Sequence, residues 1–300
     1  MAASAEADPS RAQALAYAGL AAATVGWAIG FIGGKLALGD MSPLPVAAWR
    51  YAVAATILFP FALRQRPAGG LRPVGGPFAW MIVSGGVLYP YLFLLALSRT
   101  TATNAALLIA LNPVLTLLLS PLVGERVDGR RLGGVALALV GAATVITHGD
   151  TGRLAELSFQ SGDLIAVAAA GTWATFNVTS HRVAPRLEPA FTNCVIYSLG
   201  ALALCLLGRT EHPWTQLAAA TPAALGGIVL MAVFSSVMAG QFFLMGVRTV
   251  GVNRTVVFVY LVPVVTALLS ATLLGERLVA AQAIGGAGVL AGVWWTTRTG

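Results

Sequence analysis

The sequence predicts an all-α integral membrane fold, ten transmembrane helices arranged as an inverted-topology repeat of two five-helix halves, and three observations predict it. Of 300 residues, 57% are hydrophobic and only 10% are charged, against about 25% charged in ordinary soluble domains. So few charged side chains cannot build the polar shell that water would require. Apolar windows of about 20 residues, the length that crosses the hydrocarbon core, recur along the whole chain. A stretch of the first half also returns in the second.

The elements follow in order. Residues 1–11 form a polar tail holding Glu6 and Asp8. The first apolar stretch is too long for the core of a signal peptide, so the tail is expected to be retained. The windows predict helices over 12–37, 44–63, 77–97, 102–123 and 130–147, which make a first repeat over 12–148. A linker over 149–160 leads to helices over 162–182, 189–208, 222–246, 253–274 and 279–297, which make a second repeat over 161–300. Gly and Pro inside these windows are compatible with helix in lipid, because neighbouring helices re-satisfy a broken backbone. The positive-inside bias sets orientation. With both termini cytoplasmic, the inner segments hold twelve arginines and the outer ones hold Lys35, Arg99, Arg153, Arg209 and Arg277. The linker is then periplasmic.

The repeat is the strongest signal. Asn112-Pro113-Val114-Leu115-Thr116, with Ser120 and Gly124-Glu125-Arg126, returns as Val262-Pro263-Val264-Val265-Thr266, with Ser270 and Gly275-Glu276-Arg277. Gly134 matches Gly285 and Gly141 matches Gly292, and Trp27-Ala28 returns as Trp173-Ala174. Five helices per half is an odd number, so the second copy enters the membrane from the opposite side. Transporters use such an inverted repeat to hold a site near the midplane and expose it alternately.

On these residues the chain resembles the EamA type of the drug/metabolite transporter superfamily. The resemblance rests on Trp27 and Lys35 in helix 1, Arg50 in helix 2, Pro113 and Pro263 in helices 4 and 9, and the Gly-Glu-Arg endings of those last two helices; it covers residues 12–297. It implies ten helices around a central cavity, and export or exchange of amino acids and related small polar metabolites.

Candidate pathway residues come from the polar and aromatic groups inside the spans. In helix 1, Gly26, Gly30 and Gly34 share one face as a packing ridge or a sliding seam. Trp27, Phe31 and Lys35 form a neighbouring stripe about 100° away, and helix 6 repeats it as Trp173, Asn177 and His181. These stripes are expected to line the cavity, since Trp otherwise prefers the interface to the bilayer centre. Lys35 has snorkelling to the outer interface as its alternative. Arg50 lies roughly 9 Å into helix 2, where a cation must face protein or water. It is either a structural arginine or the fixed charge that attracts a substrate carboxylate or phosphate. Tyr89, Asn104, Asn112, Gln241 and Tyr260 are further mid-span polar groups expected along the pathway. Pro113 and Pro263 can kink their helices, while the Gly-Glu-Arg motifs read as turn and anchoring devices.

Several functions are disfavoured. The net charge of +7 comes from arginines scattered through short loops rather than clustered, which argues against nucleic acid. Cys194 and Cys205 read as buried small apolar residues, and no metal or cofactor is expected. No enzyme motif is present. Every Asp and Glu lies in the tail, in a loop or near a helix end, the deepest being Asp163. A proton- or sodium-coupled pump usually keeps a carboxylate inside the membrane, so facilitated diffusion or exchange is expected. The expected partners are a small-molecule substrate and the lipid bilayer. The expected location is the inner membrane of a bacterium, with a monomer as the simplest state and a dimer left open. An exchanger for sugar phosphates or nucleotide sugars, using Arg50 and Lys35 together, is the alternative.

Overall fold

A computed structural model describes residues 9–67, 70–99, 108–125, 127, 129–150, 152, 161–274 and 279–298. Among them every regular element is helical. The elements are α1 (Pro9–Leu38), α2 (Pro43–Arg64), α3 (Gly75–Met81), α4 (Tyr89–Arg99), α5 (Asn112–Leu119), α6 (Gly129–Thr147) and α7 (Ser161–Val183). The chain continues with α8 (Pro189–Leu207), α9 (Pro213–Ala219), α10 (Pro222–Leu230), α11 (Ala239–Val250), α12 (Val252–Val256), α13 (Leu261–Leu274) and α14 (Ala280–Arg298). A π-helical segment, Ile82–Leu88, joins α3 to α4, and another, Met231–Met238, joins α10 to α11.

Seven described segments are long and apolar enough to cross a membrane: Ser10–Leu38, Pro43–Arg64, Arg72–Arg99, Gly129–Thr147, Pro189–Leu207, Pro222–Val250 and Val252–Leu269. Three expected spans stand outside this set for identifiable reasons. The window 102–123 begins on residues outside those described. α7 and α14 are 23 and 19 residues long but less apolar, α7 through Thr172, Thr175, Asn177, Thr179 and Ser180, α14 through Gln282 and its glycines. Leu118, Leu122, Val140, Leu164, Leu206 and Ile284 stand more than half exposed, which suits contact with lipid and would be a liability in water.

The two Pro-containing spans are broken rather than gently bent. Ala110 and Leu111 form a turn before α5, and the 3-10 segment Val257–Tyr260 precedes α13. Pro113 and Pro263 thus each fall in the first turn of a new helix, where the missing N–H has no intrahelical acceptor to serve. Gly124 closes the α5 end with φ of 85°, a left-handed cap that a side chain would strain. The second Gly-Glu-Arg motif and Asn104 lie outside the described residues.

Packing is organised around helix pairs. α2 runs antiparallel to α8: Leu44 meets Gly208, and Cys194 Sγ reaches the Ala55 carbonyl at 3.8 Å. α6 runs antiparallel to α14, Gly134 facing Gly292 and Gly141 facing Gly285. A Cβ at Gly141 would come within 2.6 Å of the Gly285 carbonyl oxygen, so this crossing requires glycine. α1 packs along α10, the second π segment and α11, while α7 packs along α3, the first π segment and α4.

Candidate functional site

These pairs enclose a cavity of about 110 Å³, lined by α1, α2, α4, α7, α8, α11, both π segments and the breaks before α5 and α13. Ten aromatic residues stand in its wall. Trp27 meets Phe243 at 6.2 Å, Phe243 meets Trp173 at 5.9 Å, and Trp173 meets Tyr89 at 4.4 Å between ring centroids. Tyr89 meets Phe93 at 5.9 Å and Phe93 meets Phe31 at 5.1 Å. Phe31 lies one turn from Trp27 on α1, which closes the circuit. Each ring presents a face or an edge, so the wall can hold an apolar body or, against a face, a cation.

Among the described residues, Arg50 is the one charged member of the lining. It is 5% exposed, its guanidinium carbon stands 4.7 Å from the centroid of the Tyr51 ring, and its Nε makes no hydrogen bond. Three other lining groups are buried without a hydrogen bond: Asn193 Nδ2, Ser236 Oγ and the Tyr260 hydroxyl. Buried polar atoms in folded proteins are nearly always paired. Four unpaired atoms, each able to donate, stand around this one cavity.

The residues expected from sequence divide into three groups. Trp27, Phe31, Arg50, Tyr89, Trp173, Tyr260, Gly30 and Pro263 line the cavity. Gly26 and Gly34 instead pack α1 on its neighbours, Gly26 against the Phe234 backbone and Gly34 against Met231 and Leu94. Lys35 is exposed at the end of α1, Gln241 reaches toward the Pro189 carbonyl at 3.4 Å, Pro113 is buried in α5, and Asn177 lies behind the wall. The stripe from Trp27 to Lys35 therefore leaves the cavity before its last residue. Tyr51, Asn193, Tyr197 and Ser236 line the cavity too, and none was expected. A signal existed for the tyrosines: Arg50-Tyr51 and Ile196-Tyr197 are 146 residues apart, like Trp27 and Trp173.

Asn177 belongs to a ladder of side chains descending from the cavity along α5. Its Nδ2 donates to Asn112 Oδ1 at 2.9 Å and to Thr116 Oγ1 at 3.0 Å, and Asn112 itself lines the cavity. One turn further, Asn253 Nδ2 donates to Ser120 Oγ at 3.2 Å. At the end, Glu125 accepts from the Val252 N–H at 2.9 Å and pairs with His181 Nδ1 at 3.1 Å. The ladder ties α5 and the turn that follows it to α7 and α12. The anchoring role expected of the first Gly-Glu-Arg motif is visible in Glu125.

Comparison with known proteins adds to this geometry. The EamA-like transporter family matches residues 14–147 and again residues 160–298. The uncharacterized transporter YyaM of Bacillus subtilis (strain 168) is 28% identical over 262 residues, 86% of each chain. A protein of Salmonella typhimurium named a probable amino-acid metabolite efflux pump is 26% identical over 279 residues, 89% of this chain and 90% of that one. A solved crystal structure superposes with a TM-score of 0.67 at 21% identity, covering 91% of this chain and 95% of the other. At that identity the likeness concerns the fold alone.

Proposed function

The chain belongs to the EamA-like transporter family, and from that premise we propose that it is a secondary transporter carrying small polar metabolites, amino acids first among them, out of the cell by alternating access. The carrying observation is Arg50, a buried cation with an unpaired Nε in an aromatic cavity. A guanidinium matches a carboxylate in geometry and charge. The aromatic faces suit an ammonium group or an apolar side chain. The name of the Salmonella relative points to the same class. A sugar-phosphate or nucleotide-sugar exchanger would need a second cation at the site. Lys35 is exposed at a helix end, which leaves Arg50 alone and favours a monocarboxylate.

The ten-helix inverted repeat is the architecture in which this works. Sequence-equivalent helices, α2 with α8 and α6 with α14, pack antiparallel, as halves of opposite orientation require. The π segments begin 149 residues apart, the spacing of the repeat. Both termini are cytoplasmic in this reading. Arg182, Arg186 and Arg248, on the inner side by the charge count, bond to Leu122, Pro73 and Glu188 around the Glu125 end. In this reading the ladder along α5 closes the cytoplasmic side of the cavity. Among the described residues the lining holds no carboxylate, in keeping with facilitated diffusion or exchange.

Proteoliposomes loaded with labelled L-amino acids, one at a time, test the proposal. Release down the gradient, accelerated by unlabelled substrate outside and reduced at least tenfold by Arg50→Ala, is the expected result. Accumulation driven by an imposed pH or sodium gradient would contradict uncoupled transport, and no release of any amino acid would contradict the substrate class.

A further inference from the structure

Tyr51 and Tyr197 occupy equivalent places on α2 and α8, and their rings meet at 4.5 Å with 30° between planes. Both are buried. Each hydroxyl donates to a carbonyl of a π segment, Tyr51 to Gly85 at 2.9 Å and Tyr197 to Ser236 at 2.9 Å. A π turn shifts the hydrogen-bond ladder to i→i+5 and disturbs the regular pairing of carbonyls with donors four residues on. Such a segment can offer an acceptor in mid-helix, and a buried acceptor without a donor is costly. The tyrosines meet these carbonyls at the cavity wall, since Gly85 and Ser236 both line it.

Arg50 rests on this assembly. Its guanidinium carbon lies 4.7 Å from the Tyr51 ring centroid, and the Tyr51 ring in turn meets the Tyr197 ring at 4.5 Å. Arg has several rotatable bonds and here no hydrogen bond at Nε. A ring fixed at its hydroxyl end and backed by a second ring supplies a face that favours one place for the cation.

We propose that Tyr51 and Tyr197 are positioning residues for Arg50: their hydroxyls, tethered to the two π segments, fix the ring pair on which the guanidinium is held toward the cavity. The inference rests on the reading of Arg50 as receptor for a substrate carboxylate. It assigns the π segments a part in recognition. Tyr51 presents the face, and Tyr197 supports it from the other half.

The test compares two ligands that differ at the group Arg50 would meet. Binding of L-phenylalanine and of L-phenylalaninol, which lacks the carboxylate, is measured by calorimetry on the purified full chain. The wild-type protein should prefer the acid. Tyr51→Phe, which keeps the ring and removes the tether, should lower that preference about tenfold, and Tyr197→Phe should lower it less. Both should lower phenylalaninol affinity less than they lower L-phenylalanine affinity. Equal weakening of both ligands, or an unchanged preference, would overturn the positioning role. Should the wild-type protein show no preference for the acid, the carboxylate reading of Arg50 falls. The structure of Tyr51→Phe then decides the positioning claim by itself: Arg50 displaced from the ring supports it, and Arg50 unmoved refutes it.

Discussion

Asn112 to Thr116 and Val262 to Thr266 are nearly one sequence written twice, yet the two copies stand in different surroundings. On α5, Asn112, Pro113 and Thr116 are buried and tied to Asn177 of α7. On α13, Pro263 through Ala267 are half-buried, and the Thr266 hydroxyl bonds back to its own helix at Val262. Part of the difference is local, since Pro and Thr recur in register but Asn112 returns as Val262. The rest lies across the halves: α5 has a polar partner in Asn177, where the equivalent position of α1 carries Phe31. The Pro and Thr of the motif recur while the hydrogen bonds around them do not. An alternating carrier needs that combination, because identical closures at both ends would leave the site sealed from both sides.

The comparison can be broken at its symmetric part first, where the largest effect is expected. Gly141 and Gly285 face each other across the seam of α6 and α14, and a Cβ on either would meet the other's carbonyl oxygen, at 2.6 and 2.7 Å. Gly141→Leu and Gly285→Leu should each destabilise the protein by about 3 kcal/mol, and to similar extents, as read from thermal unfolding in detergent. A strong effect at one and none at the other would show that the seam is not shared equally.

A smaller effect is expected where the halves differ. Asn177→Phe gives α7 the residue that α1 carries at the equivalent position, and it deprives Asn112 and Thr116 of their shared donor. The Thr116 hydroxyl still donates to Asn112 Oδ1 at 3.0 Å, so the lost donor costs about 1 kcal/mol, enough to raise the inward-open population about fivefold. Spin-label distances across the Glu125 end should lengthen accordingly. Unchanged distances would mean that the ladder packs the helix without holding the closure.

The least effect is expected at the far end. Asp40 accepts from the Thr221 hydroxyl at 2.5 Å and the Thr221 N–H at 2.9 Å, and so holds the residue whose hydroxyl oxygen caps α10. These bonds, the hydroxyl's first, hold the carboxyl below its ordinary value of 3.8. A lowered folded-state value means that the contribution is present above the ordinary carboxylate range and is lost as pH falls through the lowered value. Asp40→Asn should therefore reduce thermal stability slightly at neutral pH, less than either change above, and the difference from wild type should vanish in acid. A difference that persists or grows in acid would contradict this cause.

Much of the plan was legible in sequence because lipid makes it so. Spans follow from apolar length, and Trp27, Trp173 and the two prolines announce themselves by recurrence. Arg50 was legible because a cation inside a span is costly wherever it is placed. Other features were not. Lys35 shares a stripe with Trp27 and Phe31, but a helical period cannot tell where along the helix the cavity ends. Asn177 shares the equivalent stripe, but its partners Asn112 and Thr116 are 65 and 61 residues away, a separation that no local pattern encodes. The π segments have no composition of their own, and without them the tyrosines have no visible acceptors.

The central claim is that equivalent positions of α5 and α13 exchange accessibility during transport. Thr116 and Thr266 are the natural reporters, so each is replaced by Cys in a chain whose Cys194 and Cys205 are changed to Ala. A membrane-impermeant thiol reagent is then applied from each side of oriented vesicles, with and without a transported amino acid. Thr266→Cys should react from outside and Thr116→Cys should be protected from the cytoplasmic side in the resting protein, and substrate should slow the first reaction while hastening the second. Reaction of both positions at rates that substrate leaves unchanged would contradict alternating access between these two helices.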